Sequence, residues 1–292
     1  MRIISDHKHV CGESPVWHEG SVWWVDNEAG GLFRFTPDTG ELSRLPTDIV
    51  ISCFAFNKQG GMVCGTGQGV FLYKDNQYTL LAAEHEGQKL KCNDSSADPK
   101  GRYLFDTTYF DDSDSYPLGK LYAMERDGSV RVLDEGLHLG NGIGFSPDGS
   151  RIYYVDTVIR TIYTADYDVE AGEISNKRVF LKLDNTEGIP DGLTVDADGN
   201  IWFAQWFGGC IDCYSPSGER LRRIEVEARQ VTSLAFGGKA LNEIFITSAD
   251  YEEEMSVAPV GYDYSAYRGG PVYCYTSDAA GKPELLADIN VR

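Results

Sequence analysis

The chain has 292 residues, 42% of them hydrophobic and 24% charged, which is a globular composition with ample core material. Its 45 acidic residues outweigh 26 lysines and arginines, for a formal charge of −19. That balance argues against nucleic acid and anionic membrane surfaces as partners, and it favours solubility.

The N-terminal stretch from Met1 to Pro15 carries no apolar stretch of the kind a signal peptide needs. No run approaches the roughly 18 apolar residues of a membrane helix. The seven cysteines are an odd number scattered through apolar contexts, as expected for thiols in a reducing cytoplasm. Cys210-Ile211-Asp212-Cys213 has redox spacing but sits in a strand pattern, where positions i and i+3 face opposite ways. It reads as one buried and one exposed strand cysteine rather than a redox pair.

In chain order, a frame recurs. Glu13, Ser52, Asn93, Asn141, Asp191 and Thr232 each open a short apolar alternation that ends in a glycine-containing turn. NGIGFSPDG (141–149) and DGLTVDADG (191–199) are the clearest copies. The intervals are 39, 41, 48, 50 and 41 residues, the period of a propeller or solenoid. The fourth unit splits into GIGFS, RIYYVD, TIYTADYD and ISNKRVFL, four strands separated by turns. No unit holds an amphipathic helix, so helical solenoids are excluded. The expected fold is all-β: a single domain over 1–292, a six-bladed β-propeller with four antiparallel strands per blade. The last unit supplies three strands, VTSLAF, EIFITS and PVYCYT. Either RIISD at the N-terminus or PELLADI near the C-terminus is available as its fourth. The N-terminal strand is the expected one, because no other blade uses it. Two units carry insertions after their second strand, 106–119 and 249–270. Loops of that length are either functional or solvated.

Equivalent positions of a propeller meet at one mouth of its channel. Glu13, Ser52, Asn93, Asn141, Asp191 and Thr232 all carry side-chain oxygen, and none carries thiol or imidazole. Such a set suits one hard divalent cation, Ca²⁺ first and Mg²⁺ or Mn²⁺ next. Glu13, Asn141 and Asp191 are the strongest donors and the expected metal ligands. Asp196 to Asn200 resembles an EF-hand loop but has Ile201 and Phe207 where glycine and glutamate belong, so it reads as a hairpin turn.

Several motifs together resemble the regucalcin (senescence marker protein) and gluconolactonase family. They are Gly12-Glu13-Ser14-Pro15-Val16-Trp17, Asn93-Asp94 with Asp98-Pro99, Asn141-Gly142, Pro190-Asp191-Gly192, and Thr232 through Gly238. The resemblance spans nearly the whole chain. It implies a six-bladed propeller with one divalent cation, Zn²⁺ included among the candidates, and hydrolysis of a small-molecule sugar lactone. By the same resemblance Glu13, Asn141 and Asp191 match the metal ligands, Asp191 also matches the catalytic base, and Asn93 matches a residue that holds substrate or metal-bound water. Two positions depart from the family. Lys91 stands where arginine is usual and loses the planar fork that grips two oxygens. Asp106 stands where glycine is usual, either beside the pocket or capping a turn as Asp26 and Asp156 do. Leu118 stands where some members carry glutamate. Lys91, Asn93 and Asp106 are the expected substrate-binding residues. Of the five histidines only His138 is placed to approach the site, and a structural role is expected for it. Rival readings are a metal-dependent esterase or phosphotriesterase and a non-catalytic calcium-binding propeller.

Overall fold

The computed structural model describes residues 1–113 and 115–290. Six four-stranded antiparallel sheets follow one another around a ring. Blade 1 is built from Gly12–His18, Ser21–Asp26, Leu32–Thr36 and Glu41–Leu45. Blades 2 to 5 begin with the innermost strands Ile51–Phe56, Cys92–Ala97, Gly140–Phe145 and Ile189–Val195. Blade 6 runs Val231–Gly237, Glu243–Ser248 and Val272–Thr276, and Arg2–Ser5 is its outermost strand. The expected N-terminal closure is therefore present. A short hairpin, Glu84–His85 with Gln88–Lys89, stands outside the blades. Among the described residues there is no helix, and so none long and apolar enough to cross a membrane.

Strand sequences explain the packing. Each blade is apolar on both faces because each is sandwiched between two others. Six buried clusters lie at the blade junctions. Val22 and Trp24 of blade 1 meet Phe245 and Val272 of blade 6 in one of them, which closes the ring. Fully burying one such aromatic or aliphatic side chain contributes roughly 1.5–3 kcal/mol. The two-sided burial overturns one expectation: Cys210 and Cys213 are both buried, at 0% and 1% exposure. All seven cysteines are buried free thiols.

The C-terminal PELLADI segment takes a different role from strand pairing in blade 6. It runs across the far end of the channel. Gly281 N–H donates to Leu241 O (2.7 Å), Ala287 N–H to Phe56 O (2.8 Å) and Asp288 N–H to Gly101 O (2.7 Å). Lys282, Pro283, Glu284 and Leu285 line a cavity of about 90 Å³ inside the channel, with Ser14, Asp94 and Ser233 among the residues on its other walls.

The insertion 249–270 is folded back onto the opposite end. Tyr251, Met255, Val257, Ala258 and Tyr262 pack on Cys11, Ile189, Trp206 and Phe207. Gln230 clamps its start, donating to Tyr251 O (2.9 Å) and accepting from Tyr251 N–H (2.9 Å). Arg160 holds Val257 O at 2.6 Å. Both Ser256 N–H (3.1 Å) and its hydroxyl donate to Asp112 of the other insertion. Residue 114 of that insertion lies outside the described residues.

Candidate active site

The frame positions share a backbone feature that sets their direction. In all six innermost strands the pairing register breaks at or beside the frame residue: Glu13/Val16, Ile51/Cys53, Cys92/Ser95, Asn141/Ile143, Pro190/Leu193 and Val231/Leu234. A bulge leaves a residue unpaired and re-aims its side chain. Crowding at these bulges demands glycine next to Asn141 and Asp191. A Cβ on Gly142, whose φ is +33°, would sit 2.6 Å from Asp191 O. A Cβ on Gly192 would sit 2.1 Å from Ser233 Oγ.

Four of the six frame residues line one cavity of about 250 Å³: Glu13, Asn93, Asn141 and Asp191. Cys11, Asn27, Glu28, Thr108, Phe110, Leu139, Thr157, Ile189, Trp206, Tyr251 and Met255 complete it. Thr232 is not among them, because its hydroxyl is spent on Gly12 O (2.6 Å) and Thr247 Oγ1 (2.8 Å). Ser52 does not line the cavity either; its carbonyl accepts from Ser14 Oγ.

Asn141 Nδ2 donates to Thr157 Oγ1 (3.2 Å), which leaves its amide oxygen free of that bond. Asn93 Nδ2 donates to Gly140 O (2.8 Å), with the same consequence. Ser14 N–H donates to Glu13 Oε2 (2.8 Å). Burial pushes the Asp191 carboxyl well above the usual range, and the charges of Glu13 and Asp94 push it further. Burial, then Asp94, raises Glu13 as well. Asp94 is raised to about 6 by burial, against the pull of the Ser95 and Gly142 amides. Among the described residues neither lysine nor arginine lines the cavity. Buried carboxylates are ordinarily paired or hold a metal. Two carboxylates and an amide oxygen on one wall, facing no positive side chain, fit a single divalent cation. Among the described residues no group of three His, Cys, Asp or Glu gathers as a metal site, so the amide of Asn141 is needed to make three donors.

Asp106 and Lys91 are not among the lining residues. Asp106 is buried, with Oδ1 accepting Asp94 N–H at 3.0 Å and Oδ2 without a partner. Its equivalence with Asp26 and Asp156 fails by one residue. Gly12 pairs with Asp26 and Gly140 with Asp156, whereas Cys92 pairs with Thr107. A one-residue offset turns a strand side chain to the other face. Asp106 thus points at Gly140, where a Cβ would lie 2.6 Å from its carboxyl carbon. Asp26 and Asp156 do cap: Asp26 accepts from Val10 (2.9 Å) and Ala29 (2.8 Å) amides, and Asp156 from His138 N–H (3.0 Å). Asp156 also holds the His138 ring at 3.0 Å, the structural role expected for that histidine. Lys91 is exposed, with Nζ 5.8 Å above the Tyr109 ring.

Several lining residues were not anticipated, namely Asn27, Glu28, Thr157 and Trp206 on loops or strand ends after the second strands, and Phe110, Tyr251 and Met255 on the insertions. A signal for the first group was present. The aspartates at 26 and 156 end second strands, and the residue after each, Asn27 or Thr157, faces the mouth.

The fold and site define a six-bladed propeller with an oxygen-lined pocket at one channel mouth. The family model of the SMP-30/Gluconolactonase/LRE-like region matches residues 11–250, and the chain belongs to that family. It is 33% identical to pentonolactonase XacC of Haloferax volcanii, over 99% of this chain and 98% of the relative. It is 31% identical to regucalcin of Danio rerio, over 94% of this chain and 98% of the relative. The solved structure of a calcium-binding protein, regucalcin, from Agrobacterium tumefaciens superposes with a TM-score of 0.86 at 25% identity, covering 98% of this chain and 96% of that one.

Proposed function

We propose that this chain hydrolyses a sugar lactone, with a divalent cation held at the channel mouth. The observation that carries the reading is the cavity shared by Glu13, Asn93, Asn141 and Asp191, which no lysine or arginine among the described residues lines. Membership of a family whose relatives include a named pentonolactonase supports it.

Glu13, Asn141 and Asp191 would hold the cation. Ca²⁺ is the first choice on the all-oxygen donor set, and a regucalcin relative described as calcium-binding supports it; Mg²⁺, Mn²⁺ and Zn²⁺ are the alternatives. When bound, the cation supplies Lewis acidity that polarises the lactone carbonyl and stabilises the developing oxyanion. Asp191 is the general base: its carboxylate takes a proton from the water that attacks the carbonyl carbon. The carbon to ring-oxygen bond then breaks, and the ring oxygen leaves as a hydroxyl after gaining a proton. The product is the open-chain aldonate. Asn93 presents its amide oxygen to a sugar hydroxyl, since its nitrogen is occupied by Gly140 O. Asp106 acts behind it by holding the Asp94 amide. Lys91, exposed over the Tyr109 ring, would be available to substituents that extend out of the pocket. A reducing cytoplasm is the compartment we infer, and the seven buried free thiols support that reading.

The test is proton release over a panel of aldonolactones, aryl esters and phosphotriesters. The protein is first stripped with chelator and then titrated with each cation. An aldonolactone should be the best substrate, with activity lost on stripping and restored by one metal. Undiminished turnover by the stripped protein, or an ester or phosphotriester outpacing every lactone, would overturn the reading. Cation binding without any turnover would favour the calcium-binding propeller instead.

A further inference from the structure

Glu28 lines the cavity from the turn after the second strand of blade 1. Its backbone is pinned. Asp26 Oδ1 accepts Glu28 N–H (3.2 Å) and Ala29 N–H (2.8 Å), and Asn27 N–H donates to Cys11 O (2.9 Å). The side chain therefore cannot leave the mouth by a loop movement without breaking these bonds.

Among the described residues no lysine or arginine lines the cavity to offset it. The loop that supplies Tyr251 and Met255 carries Arg268, but Asp250 (2.8 Å) and Glu252 (3.2 Å) already hold that guanidinium. Lys91 lies over Tyr109. A further acid stands close, for the charge of Glu253 adds to burial and to Asp26 in raising Glu28 above the ordinary carboxylate range. Glu253 itself accepts the Tyr251 hydroxyl at 3.1 Å. The inner wall balances differently. A dication between Glu13 and Asp191 is neutralised by those two carboxylates. Glu28, with Glu253 close behind it, is then the acidic charge that an entering molecule meets.

We propose that Glu28 is a charge filter that makes the pocket selective for neutral lactones over phosphorylated ones. This rests on the site assigned above. A neutral ring passes Glu28 without electrostatic cost, whereas a sugar phosphate brings a like charge to a partly desolvated mouth. The cavity of about 250 Å³ suits a single ring, lying below the roughly 300–1,000 Å³ of pockets for drug-sized ligands. A phosphate on such a ring has little room to escape Glu28.

The experiment measures equilibrium binding, so it needs no turnover. Calorimetry on Ca²⁺-loaded protein compares 1,5-anhydroglucitol, a neutral ring that cannot be hydrolysed, with its 6-phosphate. The wild type should prefer the neutral compound. Glu28→Gln should narrow the preference by about fivefold, as expected for one partly exposed charge, and Glu28→Lys should narrow it further or reverse it. Salt at about 1 M, where the screening length is roughly 3 Å, should narrow the wild-type preference too. The proposal fails if the wild type binds both compounds equally or neither. It also fails if both variants keep the wild-type ratio. A protein that shows the filter yet hydrolyses no lactone would remove the reaction assigned above and leave the filter standing.

Discussion

The two ends of the channel are made by the same six innermost strands and finished in opposite ways. At one end the register breaks at every frame residue and turns oxygen-bearing side chains toward the mouth. Loops then roof the pocket without filling it. At the other end the chain's own C-terminal segment lies across the ring, fixed by backbone bonds to blades 2, 3 and 6. A repeated strand therefore does not by itself place a site. Bulges and glycines assemble acidic groups at one end, at a cost in desolvation. Closure and apolar burial at the other end help to offset that cost.

The acidic mouth depends most on Asp191. Asp191→Asn keeps an oxygen donor and the side-chain volume but removes the proton acceptor. Loss of a general base costs about 10²- to 10⁴-fold in rate, or roughly 3 to 5 kcal/mol in barrier. We expect kcat to collapse at saturating metal while the unfolding midpoint holds or rises, since a buried repelling charge is gone. Steady-state rates across Ca²⁺, Mg²⁺, Mn²⁺ and Zn²⁺ with parallel thermal melts check this. Wild-type kcat recovered by excess metal would make Asp191 a ligand only.

A far-end change should do the reverse. Ile289 is 1% exposed and packs in the cluster between blades 2 and 3. Its amide donates to Asn57 Oδ1 (2.9 Å), and its carbonyl accepts from Asn57 Nδ2 (2.9 Å). Ile289→Ala should cost about 2 to 5 kcal/mol of stability, read as a lower denaturant midpoint at unchanged slope. kcat below the unfolding range should stay at the wild-type value. A parallel loss of kcat would mean that the two ends are mechanically coupled.

This division was partly legible beforehand. The propeller, its blade number and the N-terminal closing strand followed from the repeat, because a period near 40 with strand alternation has few packed solutions. Glu13, Asn93, Asn141 and Asp191 were legible because they break an apolar pattern in register. Thr232 and Ser52 fit the same pattern yet stay outside the pocket, since hydroxyls are short and Thr232 bonds locally. Asp106 was misaligned by one position, an error that a bulge creates and a linear frame does not reveal. Phe110, Tyr251 and Met255 lie on insertions with no internal repeat to register them. The role of PELLADI was hidden for a similar reason: its strand-like composition reflects burial over the channel rather than pairing in a sheet.

The smallest effect concerns Glu284, an acid in the segment that plugs the far end. Its carboxyl shares the enclosed cavity with Lys282, whose Nζ donates to Phe145 O at 2.8 Å. Glu284 keeps part of its surface exposed, while burial around its carboxyl raises it to about 7, with Lys282 pulling the other way. The folded state then binds more protons than the unfolded chain between pH 4.5 and about 7. Stability from this group is therefore present at the acid end of that window and is lost as pH rises through it. The full displacement would correspond to roughly 3 kcal/mol, and contact with channel water reduces the expected size to about 1 kcal/mol. Glu284→Gln removes the titration. Denaturant unfolding at pH 5 and pH 7.5, within about two units of the acid's midpoint, should show the variant level with wild type at the lower value and more stable at the higher one. Parallel stabilities at both would place Glu284 in bulk-like solvent and leave the far end of the channel open.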